Sequence, residues 1–146
     1  MKISTKGRYA LRMLLDIAEH ESEGYVSLKE VAARQGISKN YLEQIIMLLK
    51  NADILKTARG FQGGYKLSKS PNNYNMSEIL RLTESDLAPV PCLANGQNGC
   101  ERSGSCMTLD VWDGLNKVIT EYLSGITLQD ILDKHQDCDV GDFYCI

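Results

Sequence analysis

The sequence predicts a mainly α-helical chain with one small β-hairpin, arranged as a winged helix-turn-helix followed by a long dimerisation helix. Three observations carry this. Two short capped helical patterns meet at a Gly-Ile-Ser turn, a glycine-rich hairpin pattern follows at once, and a sixteen-residue amphipathic stretch comes later.

The first stretch, STKGRYALRMLLDIAEHE, places Tyr9, Ala10, Met13, Leu14, Ile17 and Ala18 on one face at spacings of three and four, as a half-buried helix requires. Ser27 and Glu30 form a capping-box pattern that starts a second helix near Leu28, and Gly36 supplies a left-handed stop. Ser38 then caps a helix over Lys39–Asn51, whose buried stripe is Leu42, Ile45, Ile46 and Leu49. Two β-like runs, Ile54–Thr57 and Tyr65–Ser68, flank a loop holding Arg59, Gly60, Gly63 and Gly64, which is the pattern of a wing. Asn75 and Glu78 open a further short helix. In TLDVWDGLNKVITEYL the residues Val111, Trp112, Leu115, Val118, Ile119, Tyr122 and Leu123 repeat at helical spacing. That position after a DNA-reading unit suits dimerisation, because such readers commonly address two half-sites by two-fold symmetry. Thr127 and Asp130 begin a last short helix, and the tail DCDVGDFYCI shows no periodicity. The expected divisions are therefore 1–85 for the DNA-binding domain, 86–106 for a cysteine loop, 107–135 for the dimerisation and final helices, and 136–146 for the tail.

Composition agrees with a DNA reader. The chain has 146 residues and a net charge of −3, with 43% hydrophobic and 24% charged residues. Its charge is uneven: residues 1–70 carry 12 Lys/Arg against 7 Asp/Glu, and residues 71–146 carry 4 against 12. A basic half on an acidic chain suits contact with a polyanion through one end. The opening is amphipathic rather than continuously apolar, and no run is long enough to span a membrane, so a cytoplasmic location is expected. Stable disulfides are disfavoured there. Neither a dinucleotide fingerprint nor a phosphate-binding loop is present, and two histidines, His20 and His135, assemble no Ser-His-Asp set. The chain does not read as an enzyme.

In the predicted reading mode, the start of the Lys39–Asn51 helix faces base edges, with Ser38, Lys39, Asn40, Tyr41, Glu43 and Gln44 as the contacting set. Gln44 can pair with adenine, and Glu43 can accept from a cytosine amino group while repelling phosphate. Lys2, Ser4, Thr5, Arg8 and Tyr9 are expected to hold phosphates, and Arg59 and Tyr65 to add wing contacts in or beside the minor groove.

Three of five cysteines, Cys92, Cys100 and Cys106, lie in one Gly/Asn/Ser loop at spacing C-x7-C-x5-C. Thiolates are soft ligands suited to iron–sulfur clusters, and a flexible loop can wrap three sulfurs round a compact cofactor. Zinc and a metal-free thiol switch are the competing uses. Asp110, one helical turn after Cys106, is a candidate fourth ligand. A group of a second subunit, His20, His135, Cys138 and Cys145 are others, although the two cysteines of the tail read as non-ligands by default.

The segments MKISTKGRYAL, ISKNYLEQI and RGFQGGYKL, together with the three-cysteine loop, resemble the Rrf-two family of bacterial winged-helix transcription regulators over essentially the whole chain. The resemblance implies a homodimer, a palindromic operator on double-stranded DNA and control of transcription, by repression in the reading preferred here. The three cysteines resemble the IscR-like and NsrR-like branches, which implies an iron–sulfur cluster that reports iron–sulfur status, redox or nitrosative stress; the resemblance leaves the cluster type open, and a two-iron cluster is expected ahead of a four-iron one. The IscR-like branch takes its fourth ligand from a histidine three residues after the last cysteine, where this chain has Leu109. The NsrR-like branch takes a carboxylate near the start of the first helix, where this chain has Arg8. Glu43 matches a glutamate through which cluster occupancy alters site choice in IscR-like members. The opening MKISTKGRYAL and closing FYCI resemble the CymR-like branch. That branch lacks the cysteine loop and implies control of cysteine and sulfur metabolism through a partner enzyme or thiol oxidation. From outside the class, a metal or cluster carrier with a merely structural helix-turn-helix is the rival.

Overall fold

A computed structural model describes residues 1–96 and 98–140, without the side chains of 137–140. Cys145 and the side chain of Cys138 thus lie outside the described residues.

Helix α1, Thr5–His20, starts where the Ser4 hydroxyl accepts the Gly7 amide at 3.1 Å, and it buries Ala10, Met13, Leu14 and Ile17. The same face buries Asp16, only 2% exposed. Its carboxylate accepts from Arg34 Nη2 at 2.6 Å and from Gln35 Nε2 at 2.8 Å, both at the end of α2, Leu28–Gln35. A buried carboxylate is tolerated only with such partners. Here it ties α1 to the end of α2. The capping box at Ser27 and Glu30 is formed, and Gly36 closes α2 in the left-handed region at φ 64°. Helix α3, Lys39–Asn51, follows from the Ser38 cap and buries Leu42, Ile45, Ile46 and Leu49.

The wing is an antiparallel pair, β1 Leu55–Ala58 and β2 Gly64–Leu67, with Leu55 opposite Leu67 and Ala58 opposite Gly64. Its strands sit one residue away from the sequence expectation at each end, because the ladder closes on Ala58 and Gly64. Val26 and Tyr65 exchange backbone hydrogen bonds at 2.9 and 2.8 Å, which fastens the wing to the segment before α2. A side chain at Gly64 would put its Cβ 2.3 Å from the Val26 carbonyl oxygen, so this close approach requires glycine.

Helix α4, Met76–Thr83, has the capping box of Asn75 and Glu78. After the cysteine loop come α5, Leu109–Ser124, and α6, Leu128–Val140. The last helix runs past His135, so the first residues of the stretch without periodicity are helical. Between α5 and α6 the chain returns to the start of α4: Met76 N donates to Ile126 O at 2.9 Å, and Leu128 N to Tyr74 O at 3.0 Å. Leu128 is fully buried in the same core as α1, α3 and the wing. Among the described residues no helix is long and apolar enough to cross a membrane.

Candidate nucleic-acid interface and cysteine loop

With one face of α3 in the core, its opposite face is open: Ser38, Lys39, Asn40, Glu43 and Gln44 are all exposed. Ser38 spends its hydroxyl on the cap, accepting the Tyr41 amide at 3.3 Å. Lys39 Nζ lies 3.6 Å from Glu43, a weak exposed pair that a phosphate or base can displace. Tyr41 is half-buried and meets Tyr9 edge-on at 5.7 Å between ring centroids, while the Arg12 guanidinium stacks 5.3 Å from the Tyr9 ring. These two tyrosines join α1 to α3 by packing against the core and each other.

At the start of α1, Lys2, Thr5 and Arg8 are exposed, and Arg8 Nη2 donates to Thr5 Oγ1 at 3.2 Å. Ser4 is already engaged: its hydroxyl donates to Glu84 at 2.7 Å, and its amide faces the same carboxylate at 3.3 Å. Arg59 stands exposed at the wing tip beside Gly60, whose φ is 106°. Tyr65 lies half-buried in β2, packed on the core rather than at the tip.

The cysteine loop is built from short turns. Asp86 organises its head by accepting from the amides of Ala88 and Asn95, the latter at 2.6 Å, and these bonds hold its carboxyl below the usual range. Leu87 and Leu93 are buried beneath it. Each cysteine carbonyl accepts a backbone amide: Ser103 N donates to Cys100 O at 3.0 Å and Leu109 N to Cys106 O at 3.3 Å, each closing a turn, while Gly99 N donates to Cys92 O at 3.1 Å from seven residues on. Cys92, Cys100 and Cys106 are free thiols, half-buried. The Cys106 sulfur lies 3.5 Å from the Thr108 hydroxyl, and that bond, aided by the Thr108 and Leu109 amides, holds the thiol below its usual pKa.

By donor chemistry this set fits an iron–sulfur cluster: three thiols in no disulfide, one of them biased toward thiolate. Among the described residues no three metal-binding side chains are gathered round one point, so binding would require the loop to draw its sulfurs together. Asp110 is exposed in the first turn of α5. His20 Nδ1 lies 2.8 Å from the Asp16 carbonyl oxygen, and His135 Nδ1 lies 4.0 Å from Glu19.

The apolar residues of α5 divide into two sides. Trp112, Ile119 and Leu123 are half-buried, and Trp112 Nε1 donates to Thr108 Oγ1 at 3.2 Å. Val111, Leu115, Val118 and Tyr122 are exposed by 62, 41, 61 and 67%, at heptad-like spacing. Sequence reasoning missed Glu84, Asp86 and Asp16. The only signal for Asp16 was a charge within the apolar face of α1, and the other two are acids among several in that half.

A helix-turn-helix whose second helix presents a polar outer face, with a wing beside it, defines a DNA-binding transcription regulator. Residues 3–134 match the family described as Rrf2, iron-dependent transcriptional regulator, and the chain belongs to that family, whose members are regulators and not enzymes. It is 35% identical over 142 residues to the HTH-type transcriptional regulator IscR of Pectobacterium carotovorum, covering 97% of this chain and 85% of that one. The solved structure of IscR from T. potens is 36% identical, with a TM-score of 0.75, covering 99% of this chain and 94% of that one. CymR, the global cysteine regulator of B. subtilis, is 33% identical, also with a TM-score of 0.75, covering 92% and 98%.

Proposed function

We propose that this regulator is a homodimeric repressor that reads a palindromic operator and senses iron–sulfur status, redox or nitrosative stress through a cluster on Cys92, Cys100 and Cys106. The observation that carries it is the set of three free, half-buried thiols on one loop between the DNA-reading unit and α5. When bound, a cluster supplies a redox-active and oxygen-sensitive group, two-iron in the preferred reading. The chain's own residues do the rest. Glu84 joins the segment before the loop to Ser4 at the start of α1, next to the candidate phosphate contacts Lys2, Thr5 and Arg8. A loop that closes or opens pulls on that link. With Leu109 where the related branch has histidine, the fourth ligand is of another kind, and Asp110, the next residue and one helical turn after Cys106, is the candidate.

A second reading is favoured by the lowered Cys106 thiol together with the similarity to CymR: a cluster-free regulator of cysteine and sulfur metabolism, governed by thiol oxidation or a partner enzyme. Oxygen-free purification separates the two. A coloured protein holding iron and sulfide, colourless in the Cys92→Ala/Cys100→Ala/Cys106→Ala variant, supports the cluster. A colourless wild type that stays empty after reconstitution removes the cluster and leaves the thiol reading.

A further inference from the structure

The outward face of α3 is polar except at one position. Lys39, Asn40, Glu43, Gln44, Lys50 and Asn51 are exposed, and among them Met47 is exposed by 66%. It is not part of the core stripe, which is Leu42, Ile45, Ile46 and Leu49. It also does not belong to the exposed stripe of α5, which lies on another element. Met47 follows Glu43 by four residues and Gln44 by three, so it shares their face. Helical side chains lean toward the N-terminus, so Met47 covers the surface over the turn that carries those two.

We propose that Met47 is a specificity-determining residue that packs on the C5-methyl group of a thymine in the major groove. The inference rests on α3 being the DNA-reading helix. The floor of the major groove offers donors and acceptors throughout and one apolar group, the thymine methyl. An apolar side chain carried into that groove has no other apolar counterpart among the base edges. An A·T pair also presents the adenine edge that a glutamine matches, so Gln44 and Met47, one turn apart, together read an A·T step. Methionine suits the contact because its unbranched, polarisable thioether adapts to a small methyl target without fixed shape.

The test uses the full chain and a duplex selected by it from a randomised library. Each thymine of that duplex is replaced in turn by deoxyuridine, which removes only the methyl group. The expected result is one thymine per half-site at which deoxyuridine weakens binding about fourfold, the worth of one buried methyl. Met47→Ala should bind the unmodified duplex with that same loss and be indifferent to deoxyuridine there, while Met47→Leu keeps the preference. Because the side chain is exposed, folding of both variants is checked by circular dichroism. A wild type that selects a sequence yet ignores every thymine methyl, or a Met47→Ala variant that keeps the preference, overturns the proposal alone. Failure to select any duplex overturns the DNA reading and this inference with it.

Discussion

At the scale of single residues, the Thr108 hydroxyl has two neighbours, the Cys106 sulfur at 3.5 Å and the Trp112 indole at 3.2 Å. Hydrogen bonds to the thiolate lower the Cys106 pKa, so its reactive form appears at lower pH than for an ordinary thiol. Thr108→Val removes the leading cause and should raise the midpoint of the pH–alkylation profile of Cys106, followed by mass spectrometry, whereas Thr108→Ser should leave it in place. An unmoved midpoint in the valine variant would assign the shift to the backbone amides instead. The cysteines themselves were plain in the sequence, since three thiols in a turn-rich loop stand out by type and spacing. Thr108 was not, because its part depends on a side-chain approach that no periodicity encodes. Asp16 is similar: its place on the apolar face of α1 was visible, but its partners Arg34 and Gln35 come from another helix.

At the scale of elements, local signals were the readable ones. The Ser27–Glu30 capping box formed as its spacing predicted, the helix expected from Asn75 and Glu78 opens with one too, and α3 has the expected bounds, since caps and stripes are written within a few neighbouring residues. The wing was legible as a hairpin but its register was not, because pairing with Val26 helps to fix it. The junction of α1 and α4 was not legible at all. Gly7 is buried there, and a Cβ would lie 2.3 Å from Glu84 Oε1 and 3.2 Å from Leu80 Cδ2. Gly7→Ala should therefore displace the Glu84 carboxylate from Ser4 and weaken operator binding, with little net loss of stability because a flexible side-chain end gives way and alanine favours the helix. A double-mutant cycle on urea unfolding checks it: after Gly7→Ala, the further change Glu84→Ala should cost clearly less than it does alone. Fully additive losses would show that the glycine and the glutamate act separately.

At the scale of the whole molecule, α5 has no fully buried residue, and Val111, Leu115, Val118 and Tyr122 form an exposed apolar row. If a second copy covers that row, Leu115→Glu with Val118→Glu should give a folded monomer by sedimentation, with the far-ultraviolet spectrum retained and operator affinity lost. A variant that stays dimeric would place the subunit contact elsewhere. The charge asymmetry seen in the sequence has its counterpart here, since the basic half supplies α1, α2, α3 and the wing. Leu128 complicates that division. It is fully exposed to no solvent, packed into a core otherwise drawn from residues 10–79, and its backbone is bonded to Tyr74. During synthesis the chain grows from its N-terminus. Without α6 the reading head would lack that leucine, and losing such a side chain from a finished core costs about 2–5 kcal/mol. Until α6 has been made, the nascent reading head lacks that core residue, so its full stability would come only with the last helix.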